Sequence, residues 1–241
     1  MSDKPDESKR QSLPSRIVRQ LDERTIHDLG IPGLILMENA GQEAARVAGT
    51  IMKANHLSSS VLLAGRGNNA GDAFVVARHL QNAGFETLVL LAFPENEFKK
   101  DSDACRNLNY ARLTGVDIRT LVTCPLSSCL SQYREKQILL IDGLLGTGIR
   151  GAPRPPLAQL IDDANESGHK ILSLDLPSGL NADSGETPGS VIRAYATVTF
   201  GIVKAGLVTK EAQPYVGHLH LAPISIPKFL IDEALEQQGD D

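Results

Sequence analysis

The sequence predicts a three-layer α/β domain with a mostly parallel central sheet, and two observations predict it. Short apolar runs alternate with helical stretches, which is the order expected of parallel strands joined by crossover helices. Several of those runs, such as residues 60–64 and 137–142, are apolar with almost no interruption. Such runs are typical of strands that are covered on both faces of a sheet.

The chain opens with two predicted helices. From Pro14 onward, apolar residues such as Ile17 and Leu21 recur at helical spacing until the glycine and proline of residues 30–32 end the pattern. The second helix is predicted over residues 34–54, where many small residues permit close packing against a neighbouring element.

Strands and helices then alternate to the end of the chain. Apolar runs that end in turns are assigned as strands, and the stretches between them as helices. The predicted strands are 60–64, 87–93, 117–122, 137–142, 170–175, 196–201 and 217–222, and the predicted helices lie near 73–83, 101–113, 126–134 and 156–166. No repeat or linker divides this pattern, so residues 14–232 are predicted to form a single domain between two flexible polar tails, 1–13 and 233–241.

Composition excludes several classes of function. The 24 Lys and Arg against 29 Asp and Glu give a net charge of −5, without the broad basic character of nucleic-acid-binding proteins. No apolar run approaches the roughly 18–20 residues of a membrane span, and the polar N-terminus is unlike a secretory signal. The three cysteines, odd in number and without CxxC spacing, fit a reducing compartment and exclude a disulfide framework. We expect a soluble cytoplasmic protein that binds neither nucleic acid nor membrane.

Glycine-rich loops follow three of the predicted strands, at the edge of a parallel sheet where ligands bind. They read GRGNNAGD at 65–72, DGLLGTGIRG at 142–151 and DLPSGLNADSG at 175–185. An Asp that closes a strand is often only a helix cap or a loop tether. The convergence of three loops, with Asp142 and Asp175 at the ends of two strands, nevertheless predicts a functional site.

The first of these loops partly matches a dinucleotide-binding fingerprint, with Gly65, Gly67 and Ala70 at the G-x-G-x-x-A positions. That fingerprint also needs an acidic residue about 20 residues later to bind the ribose, and here the second strand ends in Phe93 and Pro94. An ordinary dehydrogenase is therefore disfavoured. Glycines that open a helix still form a phosphate-binding site, because backbone N–H groups and the helix dipole face the ligand.

Hard oxygen donors are also predicted to meet at this edge. The amide oxygen of Asn69, the carboxylate of Asp142 and the hydroxyl of Ser178 suit an alkali or alkaline-earth cation. Zinc prefers His and Cys ligands. His218 and His220 would share one face of a strand, but no third zinc ligand is evident.

Six ordered blocks of sequence carry a resemblance to a known family. They are LD at 21–22, LMENAG at 36–41, GNNAGD at 67–72 with ARHL at 77–80, DGLLGTG at 142–148, DLPSGL at 175–180, and TVTF at 197–200 with Lys204 and Gly206. On these blocks, over about residues 17–227, the chain resembles the NAD(P)H-hydrate epimerase family, also called the YjeF N-terminal domain family.

The resemblance implies a Rossmann-like α/β/α sandwich that repairs nicotinamide cofactors. Water adds across the C5–C6 double bond of the reduced ring and gives R and S epimers of NADHX or NADPHX. The epimerase, an isomerase, interconverts them so that a stereospecific ATP- or ADP-dependent dehydratase can restore the cofactor. The resemblance further implies a homodimer and one potassium ion (K⁺) per subunit, and we expect the dehydratase to be a separate polypeptide.

The resemblance also assigns site residues by motif. Asn68, Asn69, Ala70, Gly71 and Asp72 would hold the phosphate region of the substrate. Asp175 would contact the substrate, and Asn69, Asp142 and Ser178 would be the potassium ligands. A second substrate loop would consist of Gly146, Thr147, Gly148, Ile149, Arg150, Gly151 and Ala152.

Two residues depart from the family pattern, since Ala70 and Ala73 stand where members usually have glycine. A methyl group at Ala70 is expected to obstruct a phosphate or to forbid a positive φ. Ala73 is expected only to stabilise the start of the helix.

Inversion at the carbon next to the ring nitrogen can proceed by loss of hydroxide to an iminium-like ion and re-addition of water on the other face. This requires an acid and a base. Asp142 is the predicted acid/base, because burial after a strand raises a carboxyl pKa. A nearby cation opposes that rise, so Asp175 or a water relay stays open. The alternative function is a non-catalytic nucleotide- or protein-binding module of the same fold.

Overall fold

The computed structural model describes residues 11–123, 125–131, 133, 138–148 and 150–239. Within these ranges the helices are α1 (Ser15–His27), α2 (Gly33–Ala54), α3 (Asn68–Asn82), α4 (Asp103–Leu113), α5 (Leu126–Leu130), α6 (Leu157–Glu166), α7 (Gln213–Val216) and α8 (Lys228–Gly239). The strands are β1 (Ser12–Leu13), β2 (Ser59–Ala64), β3 (Glu86–Leu91), β4 (Asp117–Thr120), β5 (Ile138–Gly143), β6 (Lys170–Leu174), β7 (Ala196–Phe200), β8 (Val203–Lys204) and β9 (His218–Ala222).

Seven of these strands form the central sheet, in the order β4-β3-β2-β5-β6-β7-β9. Every pairing between neighbours in it is parallel. The predicted mostly parallel sheet is therefore confirmed. In the register of β2 with β5, Leu63 lies beside Asp142 and Ala64 beside Gly143, so both strands end at the same level. The loops that follow them consequently start side by side.

Successive side chains of the sheet enter different cores. Leu62 and Ala64 of β2 pack in the larger core with α1, α2, α3, α4 and α8, whereas Val61 and Leu63 pack with α5 and α6. Because side chains alternate across a strand, continuous apolar runs supply both layers at once. This confirms the three-layer arrangement.

Both predicted tails are partly wrong. Ser12–Leu13 forms β1 and pairs with β8, and the side chain of Leu13 is fully buried. At the other end α8 continues to residue 239, with Ala234 buried and Glu233 accepting a hydrogen bond from Arg24 at 2.9 Å. A few apolar side chains anchor these polar segments, Leu13 at one end and Ala234 with Leu235 at the other. Residues 1–10 and 240–241 lie outside the described residues.

Two further expectations need correction. Helix α3 begins at Asn68, five residues before the predicted start near residue 73, so that Asn68–Asp72 form its first turn instead of a loop. Cys105 is free, but Cys129 is disulfide-bonded, so the cysteine count did not exclude a disulfide. Cys124 lies outside the described residues. None of the described helices is long and apolar enough to cross a membrane.

Candidate active site

A cleft of about 660 Å³ opens at the carboxyl ends of the central strands. Its volume lies within the range of small-molecule sites. The loops after β2, β3, β5 and β6 line its floor, and side chains of α1 and α2, including Val18, Leu36 and Met37, cover it. The sheet therefore places the ligand site where open parallel sheets place theirs.

The junction between β2 and α3 forms the centre of the cleft. A Cβ atom at Gly65 would lie 2.0 Å from the carbonyl oxygen of Leu144, so only glycine permits this close approach of the two loops. Gly67 is the N-cap of α3 and has no side chain to satisfy the first amides of the helix. Those N–H groups and the positive end of the helix dipole suit an anion, and the cleft reaches them at Asn68 and Asn69.

The structure brings three of the five predicted phosphate-binding residues into the cleft. Asn68, Asn69 and Asp72 line it. Ala70 is fully buried behind them, and a Cβ atom at Gly71 would lie 2.5 Å from the sulfur of Met37. These two positions therefore serve helix packing, as parts of the close contact between α2 and α3.

The departure at Ala70 and Ala73 has none of the expected consequences for a ligand. Both residues lie inside α3, are fully buried, and have no positive φ. The methyl group of Ala73 packs against the backbone of Gly143, where an added Cβ atom would approach it to 2.7 Å. The expectation that Ala70 obstructs a phosphate or forbids a needed φ is wrong, because helix geometry suits alanine.

Asp142, the last but one residue of β5, is fully buried beneath the loop that follows. Its carboxylate accepts hydrogen bonds from the amides of Leu144 (3.2 Å) and Ser178 (2.9 Å). It also accepts them from the hydroxyls of Ser178 (2.5 Å) and Ser173 (2.9 Å). Burial raises the pKa of Asp142, and these hydrogen bonds oppose the rise. Asp142 does not line the cleft, so the predicted acid/base stands away from where a substrate would bind.

The three predicted potassium ligands gather around Leu145. The amide nitrogen of Asn69 donates to the carbonyl of Leu145 at 2.7 Å, and the Leu145 amide donates to the Ser178 hydroxyl at 3.0 Å. The Oδ1 atom of Asn69 is buried and has no hydrogen-bond partner among the described residues. A buried carbonyl oxygen of Asn69 without a partner, and a buried Asp142 carboxylate that only uncharged groups contact, both fit a monovalent cation.

Metal sites of other kinds find less support in the described part of the chain. It holds no group of three or more His, Cys, Asp or Glu residues that could bind a metal ion. His218 packs edge-on against Tyr195 with ring centroids 5.5 Å apart. His218 therefore takes part in packing at the surface.

Asp175 follows β6 and faces the cleft. Its φ of +65° lies in the left-handed region, which a non-glycine residue rarely adopts and which often marks a functional position. Its carboxylate forms an ion pair with the ammonium group of Lys204, which is 2% exposed. Lys204 also donates to the carbonyl of Phe200 at 2.8 Å and to the hydroxyl of Thr199 at 3.2 Å. The ammonium group is thus held in place beneath the Asp175 carboxylate.

Two further carboxyl groups face the same cleft. Burial raises the pKa of Asp22, on α1, to about 6, and the Oδ1 atom of Asp22 has no hydrogen-bond partner among the described residues. Burial also raises the pKa of Asp72 well above its usual range, and the charge of Asp175 raises it further while Lys204 opposes the rise. The three acids and one lysine form what we term the acidic cluster: Asp22, Asp72, Asp175 and Lys204.

Sequence reasoning did not assign a role to Asp22 or Lys204. Both stand within blocks that carried the family resemblance, and that position was the available signal. An isolated Asp in an amphipathic helix and a Lys after a strand have no local pattern that indicates function. Only the fold brings them to Asp175.

The second predicted substrate loop is divided by the structure. Gly146, Thr147 and Gly148 line the cleft. Arg150, Gly151 and Ala152 are exposed and do not line it. Ile149 lies outside the described residues.

Comparisons with known proteins show what the chain is similar to. The sequence pattern of the family described as YjeF-related protein N-terminus matches residues 33–206, which include the loops after β2, β5 and β6. The chain is 35% identical over 215 residues to an NAD(P)H-hydrate epimerase of Pirellula staleyi, covering 89% of this chain and 92% of that protein. It is 32% identical to a bifunctional NAD(P)H-hydrate repair enzyme Nnr of Escherichia coli, of which it spans 41%. A crystal structure of yeast ynu0 superposes with a TM-score of 0.70 at 19% identity, covering 81% of this chain and 82% of that one, which shows the shared fold.

Proposed function

The chain belongs to the family of YjeF-related N-terminal domains, and we propose that it is an NAD(P)H-hydrate epimerase. As such it is an isomerase that interconverts the R and S epimers of NADHX and NADPHX at C6 of the nicotinamide ring. The observation that carries this proposal is the 35% identity to the Pirellula staleyi epimerase over nearly the whole length of both proteins. The cleft with its acidic cluster lies within the region that the family pattern matches.

The chemistry requires breaking and remaking one carbon–oxygen bond. The lone pair of the ring nitrogen expels the C6 hydroxyl, which leaves as water after receiving a proton. The resulting iminium-like ion is attacked by water on its opposite face, and that water gives a proton to a base. The protein must therefore present one protonated and one ionised group to the same ring.

The acidic cluster meets this requirement. Asp72, whose pKa burial raises, holds a proton for the leaving hydroxyl. Asp175, ion-paired with Lys204, is the base that takes the proton of the incoming water. Two carboxyl groups whose surroundings differ in this way divide the roles of acid and base. In the reverse reaction the two residues exchange these roles. We therefore propose Asp175 and Asp72 for proton transfer in place of Asp142, which does not line the cleft.

The N-terminus of α3 is the proposed phosphate site. Asn68 and Asn69 lie in its first turn and line the cleft, where they would bind the pyrophosphate together with free backbone amides. Gly146, Thr147 and Gly148 would close over it from the loop after β5. Phosphates held at this point leave the nicotinamide ring within the part of the cleft that Asp72 and Asp175 line.

We further propose that potassium binds at Asn69, Asp142 and Ser178. The orphaned Oδ1 atom of Asn69 and the uncharged surroundings of Asp142 support this. When bound, the ion supplies a positive charge that holds the loops after β2, β5 and β6 together. These residues would thus position the phosphate and substrate loops without touching the reacting carbon.

Epimerisation alone does not restore the cofactor, since the added water remains on the ring. We therefore propose that an ATP- or ADP-dependent dehydratase consumes one epimer downstream. The chain spans about two fifths of the length of bifunctional relatives such as that of Escherichia coli, 41% in that case. A homodimeric state and a cytoplasmic location stay predictions from the sequence.

The direct test uses a mixed preparation of R and S NADPHX. An S-specific dehydratase with its nucleotide first exhausts the S epimer, and this protein is then added in potassium buffer. We expect the remaining R epimer to convert to NADPH faster than its spontaneous epimerisation allows. An unchanged rate with folded protein would show that the cleft only binds nucleotides.

A further inference from the structure

The cleft extends beyond the N-terminus of α3 to an end far from Asp175. Arg66 and Phe93 line this end and follow β2 and β3. Asp175 follows β6, and the strand order β3-β2-β5-β6 separates it from Phe93 by three strand spacings, about 14 Å. With the nicotinamide at Asp175 and the pyrophosphate at α3, the rest of a dinucleotide extends toward Arg66 and Phe93.

Arg66 is held there by two contacts. Its guanidinium lies over the ring of Phe93, 4.6 Å from the ring centroid. Its Nη1 atom forms an ion pair with Glu97, which stands in a single 3-10 turn after β3. A guanidinium has five N–H donors, so this one nitrogen leaves most of its donors for other partners. The Arg66 side chain is 55% exposed, so these donors are accessible from the cleft.

We propose that Arg66 binds the 2′-phosphate of NADPHX and makes the enzyme prefer NADPHX over NADHX, an inference that rests on the proposed function. A guanidinium binds a phosphate through two parallel hydrogen bonds, and its flat face stacks on aromatic rings such as adenine. In dinucleotide-binding sheets an arginine near the end of the second strand accommodates the 2′-phosphate. Arg66 follows β2, the first strand of the central sheet, and lies at the end of the second through its contact with Phe93. Phe93 keeps the guanidinium plane fixed, so that its edge meets the phosphate.

Glu97 is the residue that would favour the opposite preference. A carboxylate at this point of a dinucleotide site binds the ribose hydroxyls of NADH and repels a 2′-phosphate. Here Arg66 lines the cleft and Glu97 does not, and the carboxylate of Glu97 is already engaged by Arg66. Glu97 therefore positions Arg66 from outside the cleft and does not bind the ribose.

The test compares Arg66→Gln with a matched control. Arg112 on α4 pairs with Glu95 of the same 3-10 turn but does not line the cleft, so Arg112→Gln removes an equal charge and a similar ion pair. For Arg66→Gln we expect kcat/KM for NADPHX to fall about 10- to 100-fold, as for loss of a charge-assisted hydrogen bond. The value for NADHX should stay within about 2-fold. Arg112→Gln should change neither.

A binding measurement separates this proposal from the proposed function. NADP⁺ and NAD⁺ are titrated against wild-type protein and Arg66→Gln at constant ionic strength. Tighter binding of NADP⁺ that disappears in Arg66→Gln supports the 2′-phosphate site even if no epimerisation is detected. An active epimerase that treats NADPHX and NADHX alike, or an equal loss for both in Arg66→Gln, overturns it. So does a wild-type preference for NADHX that Glu97→Gln removes.

Discussion

Asp142 and Asp175 close two neighbouring strands of the same sheet, yet they occupy opposite environments. Asp142 is sealed beneath a loop and accepts hydrogen bonds only from amides and hydroxyls. Asp175 faces the cleft, has a positive φ and pairs with the ammonium of Lys204. Asp142 lies beside Ser173 in the sheet, so Asp175 extends two residues further along its strand direction, from the buried position of Asp142 to the cleft.

The comparison shows why burial alone does not identify an acid/base residue. Burial raises the pKa of Asp142, as sequence reasoning supposed, but the same burial keeps it out of the cleft. A group that transfers protons must reach the reacting atom as well as hold the right proton. Asp175 and Asp72 combine access with contrasting surroundings.

The largest effect is expected from Asp175→Asn, which tests whether Asp175 and not Asp142 transfers the proton. We expect kcat to fall about 100- to 10,000-fold, because the variant loses its general base. The fold should persist, since asparagine keeps an oxygen that can accept from the buried Lys204 ammonium group. Circular dichroism and thermal unfolding check this. Near-wild-type epimerisation by folded Asp175→Asn would return the acid/base role to Asp142 or to a water relay.

Asp142→Asn tests the other half of the comparison. The new NH₂ group faces donors that need an acceptor, and we expect the free energy of unfolding to fall by about 2–4 kcal/mol. Urea denaturation in potassium buffer measures it. We also expect stabilisation by potassium, relative to choline chloride at equal ionic strength, to shrink in this variant. A fully stable, potassium-responsive Asp142→Asn that is nonetheless inactive would contradict the assigned division of roles.

The stability of the protein is expected to depend on pH through Asp22, a further carboxyl group that lines the cleft as Asp175 does. Its pKa is raised to about 6 in the folded protein, so the fold favours its protonated form. The folded state therefore binds a proton that the unfolded chain has released between pH 4 and 6, and stability falls as pH rises through that window. A shift of about two pKa units corresponds to about 3 kcal/mol.

We accordingly expect Asp22→Asn to stabilise the protein at pH 7.5 by about 1–3 kcal/mol and to flatten the stability profile between pH 4 and 6. Urea unfolding across that pH range is the measurement. Asp232→Asn, an exposed change on α8, serves as the control. A stability profile of Asp22→Asn that has the same pH dependence as that of the wild-type protein would show that Asp22 is solvated in the folded state.

The smallest expected effect comes from Ala70→Gly, which restores the usual family residue. Because Ala70 is buried inside α3 and does not line the cleft, we expect substrate KM within about 2-fold of wild type. Stability should fall by about 1 kcal/mol from the lower helix propensity of glycine. A marked gain in substrate affinity would mean that the methyl group does obstruct the phosphate site.

Much of the fold followed from local pattern. Apolar runs such as residues 60–64 were interpreted as buried strands. The glycine-rich loops after them indicated the edge of the sheet where a site was expected. The ends of the chain were less predictable. Leu13, Ala234 and Leu235 are apolar residues in otherwise polar segments, and their burial depends on β8 and on the larger core, which lie far away in sequence.

The candidate site was likewise predictable only in part. Asn69, Asp142 and Ser178 could be grouped because each stands at or just after the end of a predicted strand, in or beside a glycine-rich loop. The start of α3 at Asn68 was missed, since a glycine-flanked segment resembles a loop until its first turn packs against α2. Residue type and spacing describe neighbours along the chain, and they carry little information on which groups share a cleft.

The sequence by itself determined the parallel α/β architecture, the edge of the sheet that carries the cleft and the family to which the chain belongs, because each depends on local periodicity or on ordered motifs. Only the tertiary structure decided that Asp175 faces the cleft while Asp142 is sealed. It alone brought Asp22 and Lys204 to Asp175 and Arg66 to Phe93. Access, burial and charge pairing arise between segments distant in sequence, so they are properties of the packed molecule.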